Sequence, residues 1–231
     1  MEDRISIEGR DGAFSASITR PKTLPAPAVV VLHEVFGVNS DIRKTCGELT
    51  EQGFIAVAPD LFWRQEPGVD LSVTSEPDWQ HGLRLYQAYD RDAGARDIKD
   101  TADVVAKLPG CIGKVAVLGY CLGGLMTFLT AVRYSVDAAV VYHGGDTEKY
   151  LGEANGLDAP LLMHLAEEDE FISKAAQAEI KAALASKPNV TVYSYPGQHH
   201  AFARHNGEHY NAAAAALANG RTREFLNQQL R

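Results

Sequence analysis

The chain has no apolar stretch long enough to cross a membrane. The longest, about residues 26–32, falls well short of the ~18 residues a span needs, so a membrane partner is not expected. It also lacks a cysteine framework. Cys46, Cys111 and Cys121 are an odd number at unrelated spacings, which predicts free thiols in a reducing compartment. Basic charge is not in excess: 22 Lys and Arg face 30 Asp and Glu, giving a net charge of −8. Such a surface repels phosphate backbones and argues against nucleic acid as a partner. Internal repeats and low-complexity linkers are missing, and the alanine-rich stretch 212–216 reads as helix. The charged start Met1-Glu2-Asp3-Arg4 leads into no apolar segment, so no secretory signal is expected and the cytoplasm is the expected location.

What is present suits a globular core. Hydrophobic residues make up 45% of the 231 positions and charged residues 23%, close to the ~25% usual for folded proteins. Short apolar runs at 29–32, 54–58, 115–118, 138–141, 161–164 and 190–193 have the continuous character of strands buried on both faces. Helical patterns fall between and after them, at about 42–52, 91–108, 124–134, 173–185 and 212–229. This alternation predicts one α/β domain with a mostly parallel sheet and helices on both faces. Around Asp11-Gly12, residues 5–8 and 13–18 read as a hairpin that adds antiparallel edge strands. Residues 63–90 break the rhythm with Gln65, Glu66, Pro67, Gly68, Pro77 and Trp79, followed by a helix through Tyr89. This excursion leaves the carboxyl end of a strand, where ligands bind in open α/β sheets, and is expected to form a lid or pocket wall.

Gly119-Tyr120-Cys121-Leu122-Gly123-Gly124 follows the run 115–118 and precedes an apolar helix. A glycine–x–nucleophile–x–glycine pattern in a strand–turn–helix context is a nucleophile turn. Glycines flank the turn because it leaves no room for side chains. The helix points its free N–H groups and dipole at the nucleophile, where they favour an anion. A buried structural cysteine beside a glycine turn is the competing reading.

Hydrolases with this turn place nucleophile, acid and histidine in that chain order. The run 161–164 leads into Glu167-Glu168-Asp169-Glu170-Phe171, and the last run leads into Pro196-Gly197-Gln198-His199-His200-Ala201-Phe202. Asp169 is the preferred acid because it sits a few residues past the strand and just before the next helix. A helix cap or a solvated carboxylate competes with that role. His199 and His200 compete as base. His205 and His209 have a spacing that chelates a metal on one helix face, but no cysteine or acid pattern accompanies them.

Over its whole length the chain resembles the dienelactone hydrolase (carboxymethylenebutenolidase) family of α/β-hydrolases. The segments that carry this are His33-Glu34-Val35-Phe36-Gly37-Val38-Asn39, Ala58-Pro59-Asp60-Leu61-Phe62, the turn at Cys121 and Gly197-Gln198-His199-His200-Ala201-Phe202-Ala203-Arg204. The resemblance implies an α/β-hydrolase fold and a Cys121–His200–Asp169 triad, which decides for His200 over His199. It also implies that Glu34 helps generate the thiolate, and that Arg204 pairs with Glu34 and holds a substrate carboxylate. The N–H groups of Leu122 and Val35 would form the oxyanion hole, and Tyr86 and Tyr142 would stand at aromatic pocket positions. The expected chemistry is hydrolysis of an enol-lactone or activated ester by a monomer or homodimer, with no cofactor and no resident metal.

Two departures bear on substrate. Trp79 stands where the family's dienelactone specialists place a second substrate-binding arginine, and Arg84, one helical turn further on, matches a different basic position. His143-Gly144-Gly145 also differs from the family pattern. A related hydrolase acting on a substrate without a carboxylate, or a non-catalytic binding protein on the same fold, are the alternatives.

Overall fold

The computed structural model describes residues 3–231, so Met1 and Glu2 of the charged start lie outside it. The middle layer is an eight-stranded sheet in the order β1-β2-β4-β3-β5-β6-β7-β8. β1 (Asp3–Gly9) and β2 (Gly12–Thr19) form the expected hairpin, and β2 runs antiparallel to β4 (Ile55–Pro59). β3 (Ala26–Leu32), β5 (Cys111–Tyr120), β6 (Ala138–Tyr142), β7 (Leu161–Ala166) and β8 (Val190–Tyr195) complete a parallel sheet with β4. This is the α/β-hydrolase architecture. Each of the six apolar runs became one of β3 to β8.

Helices cover both faces because both faces are apolar; β3 is buried at every position from Ala26 to Leu32. On one face α3 (Arg91–Ala106), α4 (Leu122–Arg133) and α5 (Lys174–Leu184) supply Ile98, Val105, Leu125, Phe128, Ile180 and Leu184 to the core. On the other, α1 (Ser40–Glu51) and α6 (Ala212–Leu230) supply Ile42, Leu49, Ala215 and Leu226. Burying one such leucine, isoleucine or phenylalanine stabilises the fold by roughly 1.5–3 kcal/mol. Side-chain caps mark where the helices start. Asn39 accepts from the Ile42 N–H at 3.2 Å, Asp90 from those of Asp92 and Ala93, and Ser173 from that of Ala176. Among the described residues no helix is long and apolar enough to cross a membrane.

The excursion at 63–90 is anchored at both ends. The Asp60 carboxylate accepts from the N–H groups of Phe62 at 3.0 Å and Gly68 at 2.7 Å. Trp63 stacks on Phe14, with ring centroids 5.3 Å apart, and donates to Asp97 at 2.9 Å. Its helix α2 (Glu76–Gln87) is capped by Ser75. A 3-10 segment at Thr147–Gly156 carries no apolar periodicity, and the sequence did not announce it.

His164, at the end of β7, is buried between the Tyr195 hydroxyl at 2.7 Å and the Thr222 hydroxyl at 3.0 Å. Burial first, then the Arg221 charge, push it down to about 3. Between that value and its ordinary value near 6.5 the unfolded chain binds the proton and the native protein does not. Stability therefore rises with pH in that window and falls as pH falls through it. His164 alone is expected to remove roughly 1.5 kcal/mol between pH 6.5 and pH 5. Urea denaturation at the two pH values checks this, and equal stabilities would contradict it.

Candidate active site

One residue, Cys121, separates the end of β5 from the start of α4. Its φ of 52° and ψ of −112° lie outside the relaxed regions for a residue with a side chain. Neighbours hold it there. Its N–H donates to the Tyr142 carbonyl at 3.1 Å, and its carbonyl accepts from the Leu125 N–H at 3.0 Å. The flanking glycines are sterically required. A Cβ on Gly119 would sit 2.1 Å from the Gly123 oxygen, and one on Gly123 would sit 2.4 Å from the Leu32 oxygen. Cys121 is thereby held, partly exposed, at the floor of a cavity of about 530 Å³.

Loops after the last two strands bring in the acid and the histidine. The Asp169 side chain is fully covered and accepts from the N–H groups of Phe171 at 2.9 Å and Ile172 at 3.0 Å. Its two oxygens stand 3.0 and 2.9 Å from His200 Nδ1. Nδ1 therefore carries a hydrogen, and Nε2 is the nitrogen left to face the Cys121 sulfur, which lies within hydrogen-bonding range. Burial pushes the imidazole down, but the Cys121 sulfur and the Asp169 carboxylate outweigh it and raise His200 to about 10. The neighbouring acids are engaged elsewhere: Glu168 pairs with Lys174 at 2.9 Å, and Glu170 with the exposed His199 and the His200 N–H.

Glu34 and Arg204 meet across 170 residues of sequence. Glu34 Oε2 accepts from Arg204 Nη1 at 3.2 Å, and the guanidinium lies 5.3 Å from the Phe36 ring centre. The loop that carries Glu34 is pinned on several sides. His33 Nδ1 donates to the Glu34 carbonyl at 2.5 Å while Nε2 accepts from the Leu61 N–H at 3.0 Å. Phe36 O accepts from the Leu71 N–H at 2.9 Å. Gly37, at φ 72°, lies so close to Val69 that a Cβ would come within 1.9 Å of its oxygen. Gly82 of α2 packs on the Val35 peptide, where a Cβ would stand 2.4 Å from the carbonyl oxygen. Val35 is thus fixed at the cavity wall. Leu122 opens α4, where an N–H has no acceptor within the helix.

The excursion supplies part of the wall through Val73, Thr74, Ser75, Glu76 and Trp79. The Trp79 ring sits between Phe36 at 5.8 Å and Phe171 at 6.0 Å. Two expected pocket residues are placed elsewhere. Tyr86 donates to Asp146 at 2.5 Å beneath the Arg91 guanidinium, and it is not among the residues lining this cavity. Tyr142 is fully buried on the α6 side of the sheet, where its hydroxyl bonds Asn219 at 2.9 Å and Thr222 at 2.7 Å. Residues 201–210 form turns rather than a helix, so His205 and His209 do not share a helix face, and His205 pairs with Glu48 at 3.2 Å. His143 is a site residue whose place the sequence did not give. It is fully buried at φ 37°, with its ring centre 4.5 Å from that of His200.

Comparison with known proteins agrees with this geometry. The profile of the dienelactone hydrolase family matches residues 14–230. The carboxymethylenebutenolidase of Pseudomonas putida is 38% identical over 98% of this chain and 96% of its own. Carboxymethylenebutenolidase 1 of Cupriavidus pinatubonensis is 33% identical over 98% of this chain and 97% of its own. A Klebsiella pneumoniae crystal structure provisionally assigned as a dienelactone hydrolase superposes with a TM-score of 0.87 at 25% identity, covering 99% of this chain and 98% of that one. The chain therefore belongs to the dienelactone hydrolase family and is a carboxylic-ester or lactone hydrolase.

Proposed function

We propose that the protein hydrolyses a carboxylated enol-lactone or similarly activated ester through Cys121, by way of a thioester acyl-enzyme. The observation that carries this is the line from the Cys121 sulfur to His200 to Asp169, with His200 Nδ1 held 2.9 Å from the carboxylate. His200 Nε2 holds the proton given up by the thiol, as its raised value favours, with the Glu34 carboxylate across the cavity. The thiolate adds to the carbonyl carbon, and the resulting oxyanion is received by the N–H groups of Leu122 and Val35. Collapse expels the leaving oxygen, which takes the proton from His200. Water, deprotonated by His200, then adds to the thioester, and the thiolate leaves and is reprotonated. A tetrahedral intermediate expels a thiolate more readily than a poor alkoxide. Enolates and other good leaving groups therefore complete the acylation, and ordinary alkyl esters revert.

Arg204 is the cation placed to meet a substrate carboxylate, since it lines the cavity beside Glu34. A charge-assisted hydrogen bond contributes about 1.5–3 kcal/mol. A carboxylated lactone is therefore expected to show kcat/KM at least ~10-fold above its neutral analogue. Trp79 supports a second reading: with Phe36 and Phe171 it makes an aromatic wall where a second cation would serve a carboxylate. Equal kcat/KM for the two lactones would decide for a substrate without a carboxylate.

A further inference from the structure

We propose that Glu34, His143 and His200, at the cavity that Cys121 lines, form a site for a divalent transition metal such as Zn²⁺, and that occupancy switches the hydrolase off. Glu34, His143 and His200 each offer one donor atom, and these three atoms lie within 4.8 Å of one another. The site is buried, and its free valences point to a ligand. Both ring nitrogens of His143 lack a hydrogen-bond partner, and so does Glu34 Oε1. A buried imidazole with two unsatisfied nitrogens is costly, and such groups are uncommon unless something binds them.

The remaining atoms of the same side chains are held in the way that ligands to a metal are held. Asp169 fixes His200 through Nδ1, which leaves Nε2 for coordination, and Arg204 occupies Glu34 Oε2, which leaves Oε1. Carboxylate–histidine–metal chains of this kind orient ligands and raise their basicity. Two imidazoles and one carboxylate suit Zn²⁺, which commonly takes three protein ligands of these types and keeps a fourth position open. Metal–ligand bonds of ~2.0–2.3 Å require the donors to close by about an ångström from their present separation.

Charge balance favours the ion as well. The Glu34 and Asp169 carboxylates outnumber the Arg204 cation once His200 has given up its proton. Binding displaces to solvent the proton held at His200 Nε2, with no change of oxidation state. It also takes the base and Glu34 out of the reaction, so the site is inhibitory. That consequence rests on the mechanism proposed above; the binding does not.

The test titrates the full-length protein with ZnCl₂ and CoCl₂ after treatment with a chelator. Expected are one tightly bound Zn²⁺, the visible bands of low-coordinate Co²⁺ with nitrogen and oxygen ligands, loss of hydrolysis on binding, and reversal by EDTA. His143→Phe is expected to weaken Zn²⁺ binding at least ~100-fold and to lift the Zn²⁺ inhibition of whatever hydrolysis it retains. His199→Asn, which removes a histidine from the exposed Glu170–His199–His209 group, is expected to leave binding unchanged. Absence of Zn²⁺ binding and of the Co²⁺ bands in the wild type overturns the proposal without any variant. Loss of binding in His199→Asn but not in His143→Phe overturns it too. A metal bound through His200 with undiminished hydrolysis would instead retain the site and refute the role of His200 in turnover.

Discussion

Cys121→Ala is expected to lower kcat/KM for an activated ester by at least ~1,000-fold, with a change in melting temperature of only a few degrees. The two readouts separate the readings of this residue. A structural cysteine would leave a cavity in the core when shortened, so stability would fall and rate would not. Cys121 is partly exposed and borders the cavity, so its sulfur contributes little packing. Its strained backbone is unaffected by alanine, which still bears a Cβ. The residual rate belongs to Leu122, Val35 and Arg204, which still bind substrate and oxyanion. Steady-state kinetics and thermal melting on the same preparation measure both quantities, and activity within a few-fold of wild type would refute the role of the thiol.

Gly123→Ala is expected to be strongly disruptive. The added Cβ would meet Leu32 O at 2.4 Å, Leu32 C at 2.7 Å and His33 O at 2.8 Å, all backbone atoms of β3 and its exit. Backbone cannot swing aside as a long side chain can, so α4 must move away from β3. That costs about 3 kcal/mol by overpacking. It also displaces the Leu122 N–H and the Cys121 sulfur together, and a misplacement of about 1 Å at a reacting centre lowers rate on the order of 100-fold. A Cβ added to Gly220, within α6, would meet no neighbouring atom within 4 Å. Gly220→Ala is accordingly expected to stabilise by roughly 0.5–1 kcal/mol through helix propensity. Chemical denaturation of the two variants beside the wild type tests the contrast. Equal stabilities would show that the tight turn tolerates a side chain.

The parallel core was legible because β3, β4, β6 and β7 are buried at every position and therefore read as unbroken apolar runs, as in 29–32 and 138–141. The nucleophile turn was legible because its glycines are dictated by contacts between neighbouring backbones. Asp169 and His200 were legible as members of two loops, but each had competitors. What separates Asp169 from Glu170 is the pair of N–H groups from Phe171 and Ile172 that turns one carboxylate inward, and only the folded loop provides it. Tyr142 was placed by strand alternation. The residue alternates with Val141, so the two point to opposite sides of the sheet, and Tyr142 faces α6 rather than the cavity. Tyr86 was captured by Asp146, which is 60 residues away in sequence and held at a left-handed φ of 67° by the turn before the 3-10 segment. His143 lay next to Tyr142 in the sequence, but its unpartnered nitrogens are visible only in the folded site.

The most direct measurement is of the covalent intermediate. A p-nitrophenyl ester is mixed with the enzyme, quenched in acid within the first turnovers, and digested for mass spectrometry. The expected result is the acyl mass on the peptide that contains Cys121, lost on treatment with neutral hydroxylamine, as a thioester requires. An acyl group on another residue, or rapid turnover with Cys121 unmodified under conditions where deacylation limits the rate, would contradict a cysteine nucleophile.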